Sequence, residues 1–190
     1  MGGGGNDATH SICQTSDGGY ASVGFSDNNS GDVSGLNGSQ DIWLVKSSSM
    51  GVIQWQKCLG GTGLERGYEI IQTSDGGYAV VGVSYSNDGD LTFNWGGGVY
   101  GDYWIVKLTS TGIIQWQKSI GGTSYDEAQS IKQTTDGGYI INGRSYSVDG
   151  DITFHHGSTM DPDMWVVKLD SNGVIIWQNS LGGISSEEGF

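Results

Sequence analysis

Apolar and polar residues alternate along this chain in short runs, with the period of a strand and nowhere that of a helix. In YWIVKLT (103–109) and IIQWQKS (113–119) one side chain points in and the next points out. The runs YEIIQTS (68–74) and GYAVVGVS (77–84) carry the same β-branched and aromatic signature, and no segment reads as an amphipathic helix. The first pair of runs joins through Ser110-Thr111-Gly112 and the second through Asp75-Gly76-Gly77. Aspartate followed by glycines supplies the positive-φ residues of a tight hairpin. The pattern therefore predicts an all-β protein built of four-stranded antiparallel units, with strands A, B, C and D in chain order.

The unit occurs three times. IIQTSDGGYAVVGVS (70–84) recurs as IKQTTDGGYIINGRS (131–145) and as ICQTSDGGYASVGFS (12–26). DYWIVKLTSTGIIQWQKSIGG (102–122) recurs as DMWVVKLDSNGVIIWQNSLGG (163–183) and DIWLVKSSSMGVIQWQKCLGG (41–61). The Gly-Gly pairs at Gly60, Gly121 and Gly182 are 61 residues apart, whereas Asp17 and Asp75 are 58 apart, the difference falling in one shorter loop of the first copy. The units are 2–59, 60–120 and 121–181, and 182–190 starts a further repeat or forms a tail. Residues Gly182 to Phe190 repeat the role of Gly2 to His10, so both stretches claim one connector position.

Up-and-down four-stranded units at this spacing stack radially as the blades of a β-propeller. A single-chain pseudo-threefold β-prism or β-trefoil is the alternative. The pattern GG…D…IxQTxDGGY…DGD…DxWxVKL…GxxxWQK…GG, running from Gly2 to Gly183, resembles the repeat of bacterial and archaeal cell-surface propeller proteins, loosely grouped with quinoprotein-like propellers. The resemblance implies a secreted or surface module, extracellular in location. It names no activity, because a fold does not fix a function.

Composition narrows the partners. Thirty-five glycines, one proline (Pro162) and many Ser, Thr, Asn and Asp make the chain turn-rich, while seven Trp and nine Tyr supply apolar surface for a core. A formal charge of −13 repels phosphate backbones and anionic membranes, which argues against nucleic acid as a partner. No apolar stretch approaches the ~18 residues that a membrane-crossing helix requires, so membrane insertion is not expected. The start, MGGGG, lacks the basic and apolar regions of a secretion signal and reads as a start codon placed on an excised or processed segment. Cys13 and Cys58 fall on the first and last strands of one unit, ~14 Å apart at ~4.8 Å per strand, too far for a disulfide.

Repeat position separates scaffold from site. Trp43, Trp104 and Trp165 on strand C, and Trp55, Trp116 and Trp177 on strand D, recur in every copy and are predicted to be core, together with Ile12, Ile70 and Ile131. In an antiparallel A-B-C-D unit the short A–B and C–D turns lie at one end, and the B–C loop and D–A connector at the other. Loops as long as Tyr85 to Gly101 inside compact units tend to carry function, so the site is expected on that second face. Trp95 occurs in the second copy alone, with Phe93, Asn94 and Tyr100 around it; the third copy offers Phe154, His155, His156 and Met160. Exposed aromatics beside amides and carboxylates suit a sugar, a flat plate meeting its C–H face and polar groups its hydroxyls. Packing of the long loop onto itself is the competing reading.

Asp88-Gly89-Asp90 and Asp149-Gly150-Asp151 recur, and Asp102 and Asp163 precede strand C. Such carboxylates can converge on Ca²⁺, although the spacing is not the full calcium-loop pattern and Asx turns close loops without metal. No other cofactor is implied. Asp7, Glu65, Asp126 and Glu187 hold one acidic connector position and are expected to bind backbone N–H groups. Nothing singles out a pair of carboxylates in differing environments, so no catalytic residue is assigned and no enzyme is expected. The chain thus reads as a carbohydrate-binding or adhesive module for a glycan or cell-surface polymer. The alternatives are a purely structural surface repeat and, more weakly, a glycan-degrading enzyme. Three open blades expose an apolar face at each end, and two chains pairing would close a six-bladed ring as a homodimer.

Overall fold

The computed structural model describes residues 2–158 and 160–183. Twelve strands form three separate four-stranded antiparallel sheets. The first contains β1 (Asp7–Gln14), β2 (Tyr20–Ser26), β3 (Asp41–Ser47) and β4 (Ile53–Leu59). The second contains β5 (Glu65–Gln72), β6 (Tyr78–Ser84), β7 (Asp102–Leu108) and β8 (Ile114–Ile120). The third contains β9 (Asp126–Gln133), β10 (Tyr139–Ser145), β11 (Asp163–Leu169) and β12 (Ile175–Leu181). In each sheet spatial order follows chain order, and no described residue is helical. The tandem blade-like units expected from the repeat are present.

The first sheet packs on the second and the second on the third, with β1, β5 and β9 side by side at the inner edge. Between the first two sheets a core gathers Val23, Ile42, Leu44, Ile70, Tyr78 and Trp104; between the second and third, Val81, Tyr103, Ile105, Ile131, Tyr139 and Trp165 fill the same role. Tyr103 rests 4.7 Å from the ring of Trp165 and donates its hydroxyl to that residue's carbonyl at 3.1 Å. Trp43, Trp104 and Trp165 are buried and Trp55 and Trp116 half-buried, as repeat-locked core residues should be. Two expectations fail. Ile12 is 65% exposed and Trp177 45% exposed, whereas Ile70 and Ile131 are buried. The cause is position in the array, because Ile12 lies on the free face of the first sheet and Trp177 on that of the third. The strands of these two sheets make at most marginal contact with each other among the described residues.

Each Asp-Gly-Gly hairpin is latched by a lysine from strand C. Lys107 Nζ, on a buried side chain, reaches Asp75 at 2.8 Å, the Leu108 carbonyl at 3.0 Å and Gln115 at 2.8 Å. Lys46 with Asp17 and Lys168 with Asp136 repeat the latch. Burial pulls the Asp75 carboxyl upward, but hydrogen bonds from Lys107, Thr73 and Gly77 outweigh it and hold the group at about 2. Cys13 and Cys58 are free thiols on the outer strands of one sheet.

At the opposite end carboxylates hold the connectors. Glu65 accepts the Gly61 amide at 3.0 Å and the hydroxyls of Ser84 and Ser86 at 2.7 and 2.6 Å. Asp126 accepts Gly122 N–H and the Ser147 hydroxyl, both at 2.8 Å, and Asp7 accepts Gly3 N–H. The acidic connector position thus binds backbone as expected in three copies; Glu187 lies outside the described residues. Asp102 takes Trp95 N–H at 2.6 Å, and Asp41 takes Asn37 N–H at 2.9 Å. The Oδ1 atoms of Asp41, Asp102 and Asp126 are buried without a hydrogen-bond partner, which favours the neutral acid. Burial, with Glu65 near Asp41 and Asp126 near Asp102, raises Asp41 to about 6 and Asp102 to about 7. Burial also raises Asp126 to about 6, against hydrogen bonds from Ser145, Gly122 and Ser147.

Two predictions follow from this core and these acids. Trp104→Ala should cost about 3–5 kcal/mol of unfolding free energy in a urea titration, because it opens a large cavity between sheets. The pH dependence has a definite sign. A folded-state pKa raised above the unfolded value stabilises fully below that unfolded value, and the contribution is lost as pH rises through the folded pKa. For Asp41, Asp102 and Asp126 that loss occurs between pH ~4 and ~7, while the depressed latch carboxyl of Asp75 costs stability only below pH ~4. The melting temperature should therefore be higher at pH 5 than at pH 8.5. Asp102→Asn, which keeps an acceptor for Trp95 N–H and carries no charge, should reduce that difference.

Candidate functional site

The B–C loop of the second unit leaves β6 and returns at β7, and its shape is set by residues turned inward. Asn94 is buried, with its amide N–H donating to the Ser84 carbonyl at 3.0 Å and its amide oxygen accepting Gly98 N–H at 3.1 Å. Asn94 therefore shapes the loop and does not stand beside the exposed aromatics. The Trp95 main chain is fixed by Asp102 at 2.6 Å, and its indole N–H donates to Asp151 Oδ2 of the third unit at 3.0 Å. Phe93, half exposed, meets Trp95 edge-on with ring centroids 5.1 Å apart. An indole anchored at both its backbone and its nitrogen presents a rigid plate to solvent.

That plate is one wall of a groove of about 420 Å³ between the second and third sheets. Lys118, Ser119 and Ile120 of β8 form its floor, and Gly173, Val174 and Ile175 from the last C–D turn its far wall, with Asp151 at one end. The seam between the first and second sheets has a corresponding groove of about 390 Å³ with Asn37 where Trp95 stands. Only the second groove is aromatic. Phe154 and His156 repeat the Phe93–Trp95 pair one unit later, rings edge-on at 4.6 Å, with His156 N–H bonded to Asp163 at 2.6 Å. They stand at the free edge of the third sheet with no following unit beside them. The His155 side chain is turned inward, its Nε2 3.2 Å from the Ser158 carbonyl and its Nδ1 3.6 Å from Asp163. Tyr100 lies apart, lining a cavity of about 270 Å³ with Ser124, Tyr125 and Tyr146. The seven aromatic-loop residues are thus divided among a groove, a half-groove, a separate cavity and the loop interior.

The Asp-Gly-Asp carboxylates hold the glycine-rich connector at the start of their own unit. Asp88 takes both the amide and hydroxyl of Thr62, at 2.7 and 2.9 Å, and Asp90 takes Gly60 N–H at 3.1 Å. Asp149 binds Thr123 and Asp151 binds Gly121 in the same way. Gly89 and Gly150 lie at positive φ, and a Cβ on either would meet the Gly60 or Gly121 carbonyl at 2.4 or 2.3 Å, so the spacer must be glycine. Asp102 and Asp163 are directed at Trp95 and His156. The six carboxylates proposed as metal ligands thus each contact a protein N–H or hydroxyl, and no group of three or more His, Cys, Asp or Glu among the described residues is placed to hold a metal ion.

Sequence reasoning missed a second cluster, near the inner edge. Strands β1, β5 and β9 each carry a bulge, at His10, Tyr68 and Gln129. Bulges re-aim side chains. Here His10 stacks on Tyr68 at 5.2 Å, and Tyr68 donates to Glu127 at 3.1 Å. Glu127 is also contacted by Tyr125, Gln129 and Arg144. The signal was readable: Gly24, Gly82 and Gly143 recur inside strand B, and a Cβ there would strike the carbonyl of Ala8, Arg66 or Glu127 at 2.0 Å or less. An isolated glycine in a strand marks such a bulge.

No family model matches the chain. Over 149 residues it is 26% identical to the regulatory protein FlaEY of Caulobacter vibrioides, an alignment covering 75% of this chain and 16% of that protein. The chain spans far less than two thirds of that relative's length.

Proposed function

We propose that this chain is a non-catalytic carbohydrate-binding module, acting at the cell surface or outside the cell, that receives a glycan in the groove walled by Phe93 and Trp95. The observation that carries the proposal is the exposed edge-on aromatic pair whose indole is locked by Asp102 and Asp151. A fixed plate binds a pyranose face without losing side-chain freedom, which is one of the entropic costs of such a contact. Lys118 and Asp151 line the same groove and supply hydrogen-bonding groups for ring hydroxyls. A single carboxylate, Asp151, stands there and already accepts two N–H groups, whereas glycoside hydrolysis uses two carboxyl groups flanking the bond. That favours binding over cleavage. The resemblance to surface propeller repeats supports the same placement.

The indole–Asp151 bond also joins two units, which favours a second reading, in which Trp95 is a structural clasp. A glycan array separates the two. Wild-type chain should bind a defined set of glycans, and Trp95→Ala should lose at least tenfold in affinity while its melting temperature moves by no more than about 2 °C. Unchanged glycan binding in that variant overturns the assignment, and a large drop in melting temperature with no glycan bound by the wild type supports the clasp.

A further inference from the structure

The two internal seams are built from the same contacts. At the first, Trp55 meets Tyr78 edge-on at 5.7 Å and its ring lies 3.2 Å from where a Cβ on Gly112 would stand. At the second, Trp116 meets Tyr139 at 5.7 Å and lies 3.0 Å from the same point on Gly173. Strand-end glutamines cross both seams: Ser16 N–H donates to Gln72 and Ser74 N–H to Gln133, each at 2.8 Å. Ile70 and Ile131 are buried under these contacts.

Both halves of a third seam lie exposed on this one chain. The free face of the first sheet carries Ile12, 65% exposed, and Tyr20, 38% exposed where Tyr78 and Tyr139 are 1%. Gly51, the counterpart of Gly112 and Gly173, has open space where they meet a tryptophan ring. The free face of the third sheet carries Trp177 and Leu181, 45% and 46% exposed, although the equivalent Leu59 and Ile120 are buried. We infer that a second copy of this chain docks head to tail, seating Trp177 of one copy against Tyr20 and Gly51 of the other and pairing Thr135 N–H with Gln14. The occupant follows from complementarity. Ile12, Tyr20, Trp177 and Leu181 are uncharged, so the charge of −13 does not oppose their contact locally, and each copy offers one half of the seam at each end. Two copies joined twice form one closed six-sheet assembly.

Pairing also completes a site. In the aromatic groove, the wall facing Phe93 and Trp95 is Gly173, Val174 and Ile175. By repeat position, Phe154 and His156 would face Gly51, Val52 and Ile53 of the second copy, with Asp32 of that copy in the place of Asp151. This third groove rests on the carbohydrate proposal; the docking does not.

Light scattering tests the docking with the intact chain. The wild type should have a mass near twice 20.1 kDa. Ile12→Asp and Trp177→Glu alter exposed positions, so each chain should fold, as circular dichroism will verify. Each variant alone should dimerise at least tenfold more weakly. An equimolar mixture should regain paired mass, since Trp177 of the first variant meets Ile12 of the second in one unaltered seam. A monomeric wild type, variants that pair as well as the wild type, or a mixture that pairs no better than either variant alone would overturn the inference. Trp95→Ala should leave the mass unchanged, so failed docking and failed glycan binding remain distinguishable.

Discussion

A four-stranded sheet with apolar side chains on both faces cannot bury either face alone. Ile70 and Tyr78 are buried only because the first sheet lies against them, and Ile131 and Tyr139 only because the second does. Every other feature depends on this face-to-face burial, which is the dominant favourable term in such an array. It makes Trp104 and Trp165 core residues, sets the seam at which Trp55 and Trp116 close over glycine, and leaves Ile12 and Trp177 uncovered at the ends, while Trp43 on the free face of the first sheet is covered by Val33 and Leu36 of its own unit.

Burial draws sheets together without fixing their angle or register, since it has no direction. Polar contacts supply that direction, across the seams from Ser16 to Gln72, Ser74 to Gln133 and Trp95 to Asp151, and along the connectors within each unit. Asp88 and Asp149 each grip the amide and hydroxyl of one threonine in the connector entering their own unit. Glu65 and Asp126 gather the following serines beneath it. Burial raises the pKa of Asp41, Asp102 and Asp126 at this face, so the carboxylates that order the loops also make it responsive to pH. The hairpin face has the opposite balance, with exposed aspartates held ionised by buried lysines.

The loop face is where the copies differ. Scaffold positions repeat almost without change, whereas Asn37, Trp95 and His156 occupy one position with three chemistries, and His10, Tyr68 and Gln129 another. A groove present at two seams becomes aromatic at only one. The Asp-Gly-Asp carboxylates belong to the clasp that builds that groove, with Asp151 holding both a connector amide and the Trp95 indole.

The sequence alone determined the strands, the hairpins and the three units. Alternation, Asp-Gly-Gly turns and a 61-residue repeat are local signals, and each needs only neighbouring residues to be read. It also placed the long loops on one face and identified Trp95 as the one tryptophan outside the repeat. Tertiary structure decided the rest. Ile12 and Ile70 are the same residue in the same motif, yet one is exposed and the other buried, because burial depends on whether another sheet lies alongside. Asn94 follows Phe93 and precedes Trp95, yet faces the opposite way, because the loop needs both ends of its amide. Asp88 and Asp149 sit in a motif that does not name their partners, and the path of the connector from the preceding unit brings Thr62 and Thr123 to them. Such outcomes depend on groups distant in sequence brought within hydrogen-bond reach, and only the packing of whole sheets brings them there.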